Sequence, residues 1–180
     1  LRATSAFVYV EPDFIYRKSR FLEVDDPRAP DQWHLNLVGA RAAWDISQGD
    51  ASVVIAIIDS GVDLSHPEFE GRLVSPRDSL SYDDDPTPDD HDAHGTGCAG
   101  LAAAAANNAM GVAGLCPRCS VMPIRIMSEE GWGRFGADVD AFYWAADHGA
   151  HILSNSWGTA EPSSIPATLQ DAIEHVDFQT

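Results

Sequence analysis

Apolar residues along the chain fall into short runs that predict strands alternating with helices. Residues 53–58 are continuously apolar and rich in β-branched side chains, which is typical of a strand covered on both faces of a parallel sheet. Two further apolar runs, at 120–127 and 151–156, predict additional central strands. Alanine content and apolar faces at helical spacing predict helices at 94–107, 138–146 and 166–176. This alternation implies right-handed βαβ crossovers and an α/β fold of three layers (αβα) with a mainly parallel sheet.

The first fifty residues and one internal segment follow other patterns. Residues 6–16 alternate between apolar and polar positions and predict a strand. The charged residues 17–31, interrupted by prolines, predict an exposed connector. Residues 33–44 predict an arm that contains a short helix, and the aspartate-rich segment 81–92 predicts a loop.

The charge of the chain excludes one class of partner. Its 180 residues include 11 basic and 28 acidic side chains, for a net charge of −17. This acidity argues against a nucleic-acid partner, because phosphate binding depends on Lys and Arg.

No apolar run approaches the roughly 20 residues that span a bilayer, which argues against a membrane partner. The chain begins with Leu1 rather than methionine, so we expect a processed or excised segment.

An aspartate and a histidine occupy positions where chemistry is expected. Asp59 directly follows the apolar run, and ligands of parallel sheets gather at the carboxyl ends of the strands. His94 opens the alanine-rich helix. A buried carboxylate that orients a histidine, which in turn takes a proton from a hydroxyl nucleophile, makes two thirds of a hydrolytic triad. We therefore assign orientation to Asp59 and proton transfer to His94.

Other interpretations of these residues stay open at this level. Taken alone, Asp59 is compatible with an ordinary turn, and Asp63 and Asp92 are rival carboxylates for His94. A metal-dependent hydrolase would use these four residues together with His91. The glycines after His94 have no role in such a metal site, whereas they allow other backbone to approach the histidine closely. A peptide-binding module without catalytic activity is a further alternative.

The three cysteines do not form a disulfide framework. Cys116 and Cys119 have the C-x-x-C spacing, which is equally compatible with a local disulfide and with two free thiols. A zinc site is disfavoured because no second pair of ligands lies nearby. Cys98 is expected to be a small buried apolar residue beside the helix that His94 opens, with a reactive thiol as the alternative.

Three motifs carry a resemblance to a known family. They read IDSGVD at 58–63, HGTGCAG at 94–100 and ILSNSWG at 152–158. In this order and at this spacing they resemble the motifs of subtilisin-like serine proteases (subtilases, peptidase family S8). An aspartate that precedes the histidine also suits this family, and does not suit chymotrypsin or the α/β-hydrolases. The resemblance extends over residues 33 to 176.

The resemblance implies a domain organisation and an activity. Residues 1–20 would be the last strand of an inhibitory propeptide and the start of a linker, 21–50 the linker and an amino-terminal arm, and 51–180 the first half of a catalytic domain truncated at its carboxyl end. The implied activity is that of a serine endopeptidase, and the implied location of the protein is secreted or extracellular. Its catalytic residues in this chain would be Asp59 and His94.

The resemblance also implies how a protein or peptide substrate is bound. Two segments match the backbone edges that hold an extended peptide by main-chain hydrogen bonds, while neighbouring pockets select side chains. These edges are Gly131, Trp132 and Gly133 on one side, and Ser156, Trp157 and Gly158 on the other. The alternative is that both segments are turns with incidental tryptophans.

The family's nucleophilic serine and oxyanion asparagine belong beyond Thr180, and Asn155 is not promoted to the oxyanion role because it lies in a substrate-edge motif. Positioned acid–base groups alone supply about 10²–10⁴-fold, or roughly 3–5 kcal/mol. Enzymes typically lower barriers by about 8 kcal/mol or more. We therefore expect these 180 residues to be inactive without their partner, the missing carboxyl-terminal half of the domain.

The expected chemistry requires no cofactor, and a structural calcium ion is compatible with the sequence. The acidic loop 83–92 is expected to be solvated, with calcium ligation through its carboxylates as the alternative. Glu68 matches a position where relatives place a calcium-binding carboxylate, with Gln32 as its expected partner.

Overall fold

The computed structural model describes residues 23–158 and 164–177. The strand expected at 6–16, and with it the propeptide segment 1–20, lies outside these residues. No helix in the described ranges combines the length and the apolar character that crossing a bilayer requires.

Two short helices precede the first strand, and strands then alternate with longer helices. A 3₁₀ turn at Ala29–Asp31 precedes these helices, and a second at Pro67–Phe69 follows the first strand. In chain order the elements are α1 (Trp33–Leu37), α2 (Ala40–Trp44), β1 (Val54–Asp59), β2 (Arg77–Asp78), α3 (His94–Ala103), β3 (Ser120–Arg125), α4 (Phe135–Asp147), β4 (Ile152–Asn155) and α5 (Ala167–Asp177).

The described strands form one parallel sheet in the order β2-β3-β1-β4. In this register Asp59 at the end of β1 lies opposite Arg125 at the end of β3. On the other side of β1, Ile58 lies opposite Asn155 at the end of β4. Because parallel strands end at the same rim, Asp59 lies between the segments that leave β3 and β4.

Alternate residues of β1 face opposite sides of the sheet, as the period of two in a strand requires. On one face, Ile55 and Ile57 pack in a core with Ala99 and Ala103 of α3. On the other face, Ile58 packs with residues of β3, α4 and α5. Full burial of one such side chain contributes about 1.5–3 kcal/mol. Helices on both faces of a parallel sheet confirm the predicted three-layer αβα fold.

The helix predicted at 94–107 is shorter than expected and ends at Ala103. Its last carbonyl groups accept hydrogen bonds from a distant part of the chain instead of from the next turn. Leu115 donates its N–H to the carbonyl oxygen of Leu101 at 2.9 Å, for example. The high alanine content continues past Ala103, so local composition gave no signal for this end.

Two other predictions differ from the structure. The strand predicted at 151–156 is shorter and spans Ile152–Asn155 as β4, which is the outermost of the described strands on its side of β1. The single helix predicted within 33–44 is two helices, because Gly39 between α1 and α2 has a φ of +70°. The short strand β2 was not predicted, since two residues carry no periodicity.

Candidate active site

Asp59 is delivered to the rim of the sheet as the last residue of β1, and only 1 % of its surface is exposed. Its Oδ1 accepts a hydrogen bond from the Ser60 N–H at 2.7 Å. The chain then turns at Gly61, whose φ of +109° favours glycine. A Cβ atom at Gly61 would also lie 2.4 Å from the carbonyl oxygen of Pro86, so the acidic loop closes over this turn.

His94 meets the carboxylate from the first turn of α3. Its Nδ1 lies 2.6 Å from Oδ1 of Asp59, and its side chain is 54 % exposed. With Asp59 ionised, Nδ1 carries the proton and donates it, which fixes the tautomer. Nε2, on the opposite side of the ring, then has a free lone pair that faces away from Asp59. Such an imidazole is arranged to accept a proton from another group.

The residues after His94 explain why the two side chains come so close. A Cβ atom at Gly95 would lie 2.2 Å from the carbonyl oxygen of Gly61 and 3.1 Å from the Asp59 side chain. Thr96 accepts a hydrogen bond through Oγ1 from the Asp63 N–H at 2.9 Å. Glycine therefore permits the contact between α3 and the β1 turn, and threonine holds that turn in place.

We predict that Gly95→Ala destabilises the folded protein by about 1–3 kcal/mol, because the new methyl group collides with backbone that has no room to move. Gly97→Ala is the matched control, since it lies in the same helix and its Cβ would meet nothing within 4 Å. That control should gain up to about 1 kcal/mol of helix propensity. Thermal unfolding of both variants measures the difference, and equal effects at the two positions would contradict the packing argument.

The interaction with Asp59 also determines the acidity of His94. Their hydrogen bond, and next the carboxylate charge, raise the pKa of His94 above its ordinary value near 6.5. Burial acts weakly in the opposite direction. The imidazolium is thus stabilised, which is what a general base requires when it takes up a proton.

The rival carboxylates do not orient His94. Asp92 instead accepts a hydrogen bond from the backbone N–H of His94 at 2.8 Å. The Asp63 carboxylate accepts hydrogen bonds from the N–H and the hydroxyl group of Ser65. The metal site of the hydrolase alternative is also not assembled. Among the described residues, the one group of three or more potential ligands is Asp59, His94 and Cys98, which excludes Asp63, His91 and Asp92.

Cys98 lies closer to the acid–base pair than we expected. It is half-buried rather than fully buried, and its Sγ is 3.9 Å from Nδ1 of His94. The spacing of four residues along one helix face is the sequence signal that placed it there. Burial raises the pKa of the Cys98 thiol, so it stays protonated near neutral pH and does not compete as a base.

The two expected substrate edges follow the strands on either side of β1. After β3, Met127 pairs with Gly133 in an antiparallel bridge, and Ser128 donates its N–H to Trp132. The Trp132 side chain is 76 % exposed, and Gly131 has a φ of +77°. Together these contacts make residues 127–133 a hairpin beside the rim.

The second expected edge, Ser156 to Gly158, continues from the end of β4. Ser156 and Gly158 are exposed, whereas Trp157 is partly buried against the core on the α4 side of the sheet. Its Nε1 atom has no hydrogen-bond partner among the described residues. The acid–base pair therefore lies at the rim between two segments with exposed backbone.

Two buried carboxylates that could hold a cation surround residues 107–112. Asp26 accepts hydrogen bonds from the backbone N–H groups of Asn107 and Asn108. Glu68 accepts from the Asn108 side chain and from the Val112 N–H. Neither carboxylate forms a salt bridge with a basic side chain in the described ranges. Asp26 was not predicted from the sequence, because its partners lie 81 and 82 positions away.

The remaining expectations concern Gln32 and the C-x-x-C pair. Gln32 pairs its side-chain amide with both backbone groups of Ala113, next to the loop that Glu68 binds. Cys116 and Cys119 form a disulfide, which decides between the two alternatives left open by the sequence. Cys116 donates its N–H to Ala102 near the end of α3, so the disulfide loop fixes this end of the helix.

Several known proteins resemble this chain in sequence or fold. The subtilase family (peptidase S8) matches residues 50–180. Thermitase from Thermoactinomyces vulgaris is 38 % identical over 138 residues, which cover 77 % of this chain and 47 % of that protein. A calcium-dependent protease from Trichormus variabilis is 42 % identical over 142 residues, covering 72 % of this chain and 20 % of the relative.

A protease from Pseudoalteromonas arctica shares the fold, with a TM-score of 0.74 and 27 % identity over 87 % of this chain and 56 % of its own. The chain thus spans between a fifth and about half of the length of the curated relatives described above. The matched range contains the whole parallel sheet, Asp59, His94 and both candidate substrate edges. The chain belongs to the subtilase family of serine proteases.

Proposed function

We propose that this chain supplies the general base and its orienting carboxylate to a serine endopeptidase. The observation that carries the proposal is the 2.6 Å contact between Nδ1 of His94 and Oδ1 of the buried Asp59. We place the nucleophilic serine and the oxyanion asparagine in a part of the protein beyond Thr180. The partial coverage of the relatives supports this placement.

In the complete enzyme, His94 takes the proton of the serine hydroxyl through Nε2 while Asp59 holds Nδ1–H. The serine oxygen attacks the carbonyl carbon of the scissile peptide bond, and His94 then donates its proton to the leaving amine. A water molecule, deprotonated by the same nitrogen, hydrolyses the acyl-enzyme. The Asp59 carboxylate accepts the Nδ1–H hydrogen bond throughout, and stabilises the imidazolium formed in each half of the reaction.

The substrate in this proposal is an extended segment of a peptide or protein. Residues 131–133 and 156–158 would bind its main chain from two sides, in the manner of a strand added to a sheet. Their exposed backbone at the rim, on either side of Asp59, supports this role. The proposal also places the enzyme outside the cell, since the Cys116–Cys119 disulfide is typical of oxidising compartments.

Peptide hydrolysis by the complete protein tests the proposal. We expect casein to be cleaved, and cleavage to stop when a fluorophosphonate labels one serine. A matched sample treated with a chelator at a temperature where the fold is stable should keep its activity. Peptide binding without turnover or labelling would favour the inactive binding module, and chelator-sensitive turnover without labelling would favour a metal-dependent hydrolase.

We also propose that a structural calcium ion binds at residues 107–112, away from the reacting groups. The donors fit, because Asp26 and Glu68 offer hard carboxylate oxygens that are both bound to Asn108. Both carboxylates are at most 3 % exposed, and a calcium ion would add to the hydrogen bonds that compensate their burial. Among the relatives, the protease from Trichormus variabilis is named as calcium-dependent.

Calcium at 100 times its Kd should therefore raise the free energy of unfolding of the complete enzyme by about 2.7 kcal/mol. Glu68→Gln removes one ligand charge, so most of this increment should be lost. Glu70→Gln is the control, because Glu70 is exposed and two residues away. Thermal unfolding with calcium and with chelator measures the effect. Identical melting temperatures in the two buffers would contradict a calcium site here.

A further inference from the structure

The acidic loop 83–92 connects the acid–base pair with the hairpin 127–133. At the carboxyl end of the loop, Asp92 binds the backbone of His94. Nearer its amino end, Pro86 accepts a hydrogen bond from the Val62 N–H in the turn after Asp59. At its centre, Asp89 faces the sheet and the hairpin. The loop therefore touches both parts of the active site.

Asp89 divides its two carboxylate oxygens between the sheet and the hairpin. Oδ1 accepts a hydrogen bond from Nη2 of Arg125 at 2.7 Å, and Oδ2 accepts one from the Glu129 N–H at 3.0 Å. Arg125 is itself fixed, because it is the last residue of β3 and its Nη1 also binds Asp78. Asp89 thus links the hairpin turn to a rigid point beside Asp59.

The hairpin turn has few other connections to the protein. Among residues 23–158 and 164–177, its remaining hydrogen bonds are internal and join Ser128 to Glu130, Gly131 and Trp132. In the described part of the chain, Asp89 is the one side chain from outside the hairpin that binds residues 128–131. The hydrogen bond from Glu129 and, to a smaller extent, the charge of Arg125 lower the pKa of Asp89. The Asp89 carboxylate is therefore ionised at every pH at which His94 is neutral.

We propose that Asp89 is a positioning residue, which orients the substrate by fixing the 131–133 edge relative to His94. This inference rests on the proposed function, in which that edge binds the peptide main chain. Hydrogen bonds to an extended peptide need donor–acceptor distances near 2.9 Å, so a small shift of the edge weakens all of them together. The Asp89 side chain is partly exposed, so it contributes little to global stability.

The test compares Asp89→Ala with Asp90→Ala in the complete enzyme. Asp90 is the next acidic residue of the loop and is exposed. For a peptide that extends several residues to the amino side of the cleaved bond, Asp89→Ala should raise KM about tenfold and change kcat less than twofold. For a single-residue ester, which does not reach the edge, both parameters should stay within twofold. Asp89→Asn keeps an oxygen that can accept from Glu129, and should recover part of the lost affinity.

Direct binding separates this inference from the proposed function. The Kd of the extended peptide, measured by fluorescence anisotropy at a temperature where all variants are folded, should rise about tenfold in Asp89→Ala and stay unchanged in Asp90→Ala. This readout applies even if the unsubstituted protein shows no turnover, a result that would count against the proposed function alone. An unchanged Kd and KM in Asp89→Ala, or equal losses with the peptide and the ester, would overturn the positioning role.

Discussion

Replacing His94 by alanine should lower kcat of the complete enzyme by about 2 × 10⁶-fold, the loss found when the same role is removed in subtilisin. The reason is that no other described group can take the serine proton. The rival carboxylates bind backbone groups, and burial keeps the Cys98 thiol protonated. Substrate affinity should change little, because binding depends on the edges at 131–133 and 156–158.

His91→Ala is the matched control for this experiment. His91 lies three residues before His94 in the sequence, is exposed, and belongs to the metal-site alternative. We expect it to keep full activity. The measurement is kcat on a chromogenic peptide, with the concentration of folded enzyme taken from its absorbance and its circular dichroism spectrum. A His94→Ala enzyme that keeps more than about 1 % of its kcat would exclude His94 as the general base.

Asp59→Asn should lower kcat by about 10⁴-fold. An amide at this position can present its N–H₂ group to Nδ1, which favours the tautomer with the proton on Nε2. That tautomer cannot accept the serine proton. Asp63→Asn is the control, because Asp63 lies in the same turn and its carboxylate binds Ser65 rather than His94. Similar losses in the two variants would show that the turn is merely sensitive to lost charge.

The pH dependence of kcat/KM in the same variants distinguishes loss of the Asp59–His94 interaction from general structural damage. A general base works in its neutral form, so kcat/KM rises with pH as His94 loses its proton. Asp59 raises the pKa of His94, so the midpoint of this rise should lie above 6.5 in the unsubstituted enzyme. Asp59→Asn removes that interaction and should move the midpoint to lower pH, while the maximal rate falls.

The contact between Asp59 and His94 was predictable because the positions of both residues are set by local sequence. A continuous apolar run must become a buried strand, which places Asp59 at the rim of the sheet. The glycines after His94 indicated that backbone approaches the start of a helix, and a Cβ at Gly95 would indeed collide with Gly61. The αβα fold followed from alternation of strands and helices in the same way.

The features that could not be predicted depend on contacts between distant segments. Asp89 reaches Glu129 across 40 positions, and Asp26 reaches Asn107 across 81. Neither residue differs from a solvated aspartate in its local sequence. Similarly, α3 ends where Leu115 and Cys116 donate hydrogen bonds to its last carbonyl groups, although alanine continues beyond that point. The contacts of charge-rich segments and the ends of helices could therefore be identified only from the structure.

In the proposed mechanism, Asp59 and His94 share a proton in a hydrogen bond that controls the basicity of the imidazole. The most direct test of this claim is an NMR titration of the His94 ring in the complete protein with ¹⁵N-labelled histidine, assigned with His94→Gln. We expect protonated Nδ1 and neutral Nε2 at high pH, a pKa above 6.5, and a lower pKa in Asp59→Asn. A His94 pKa that is the same with and without the Asp59 carboxylate would contradict the claim.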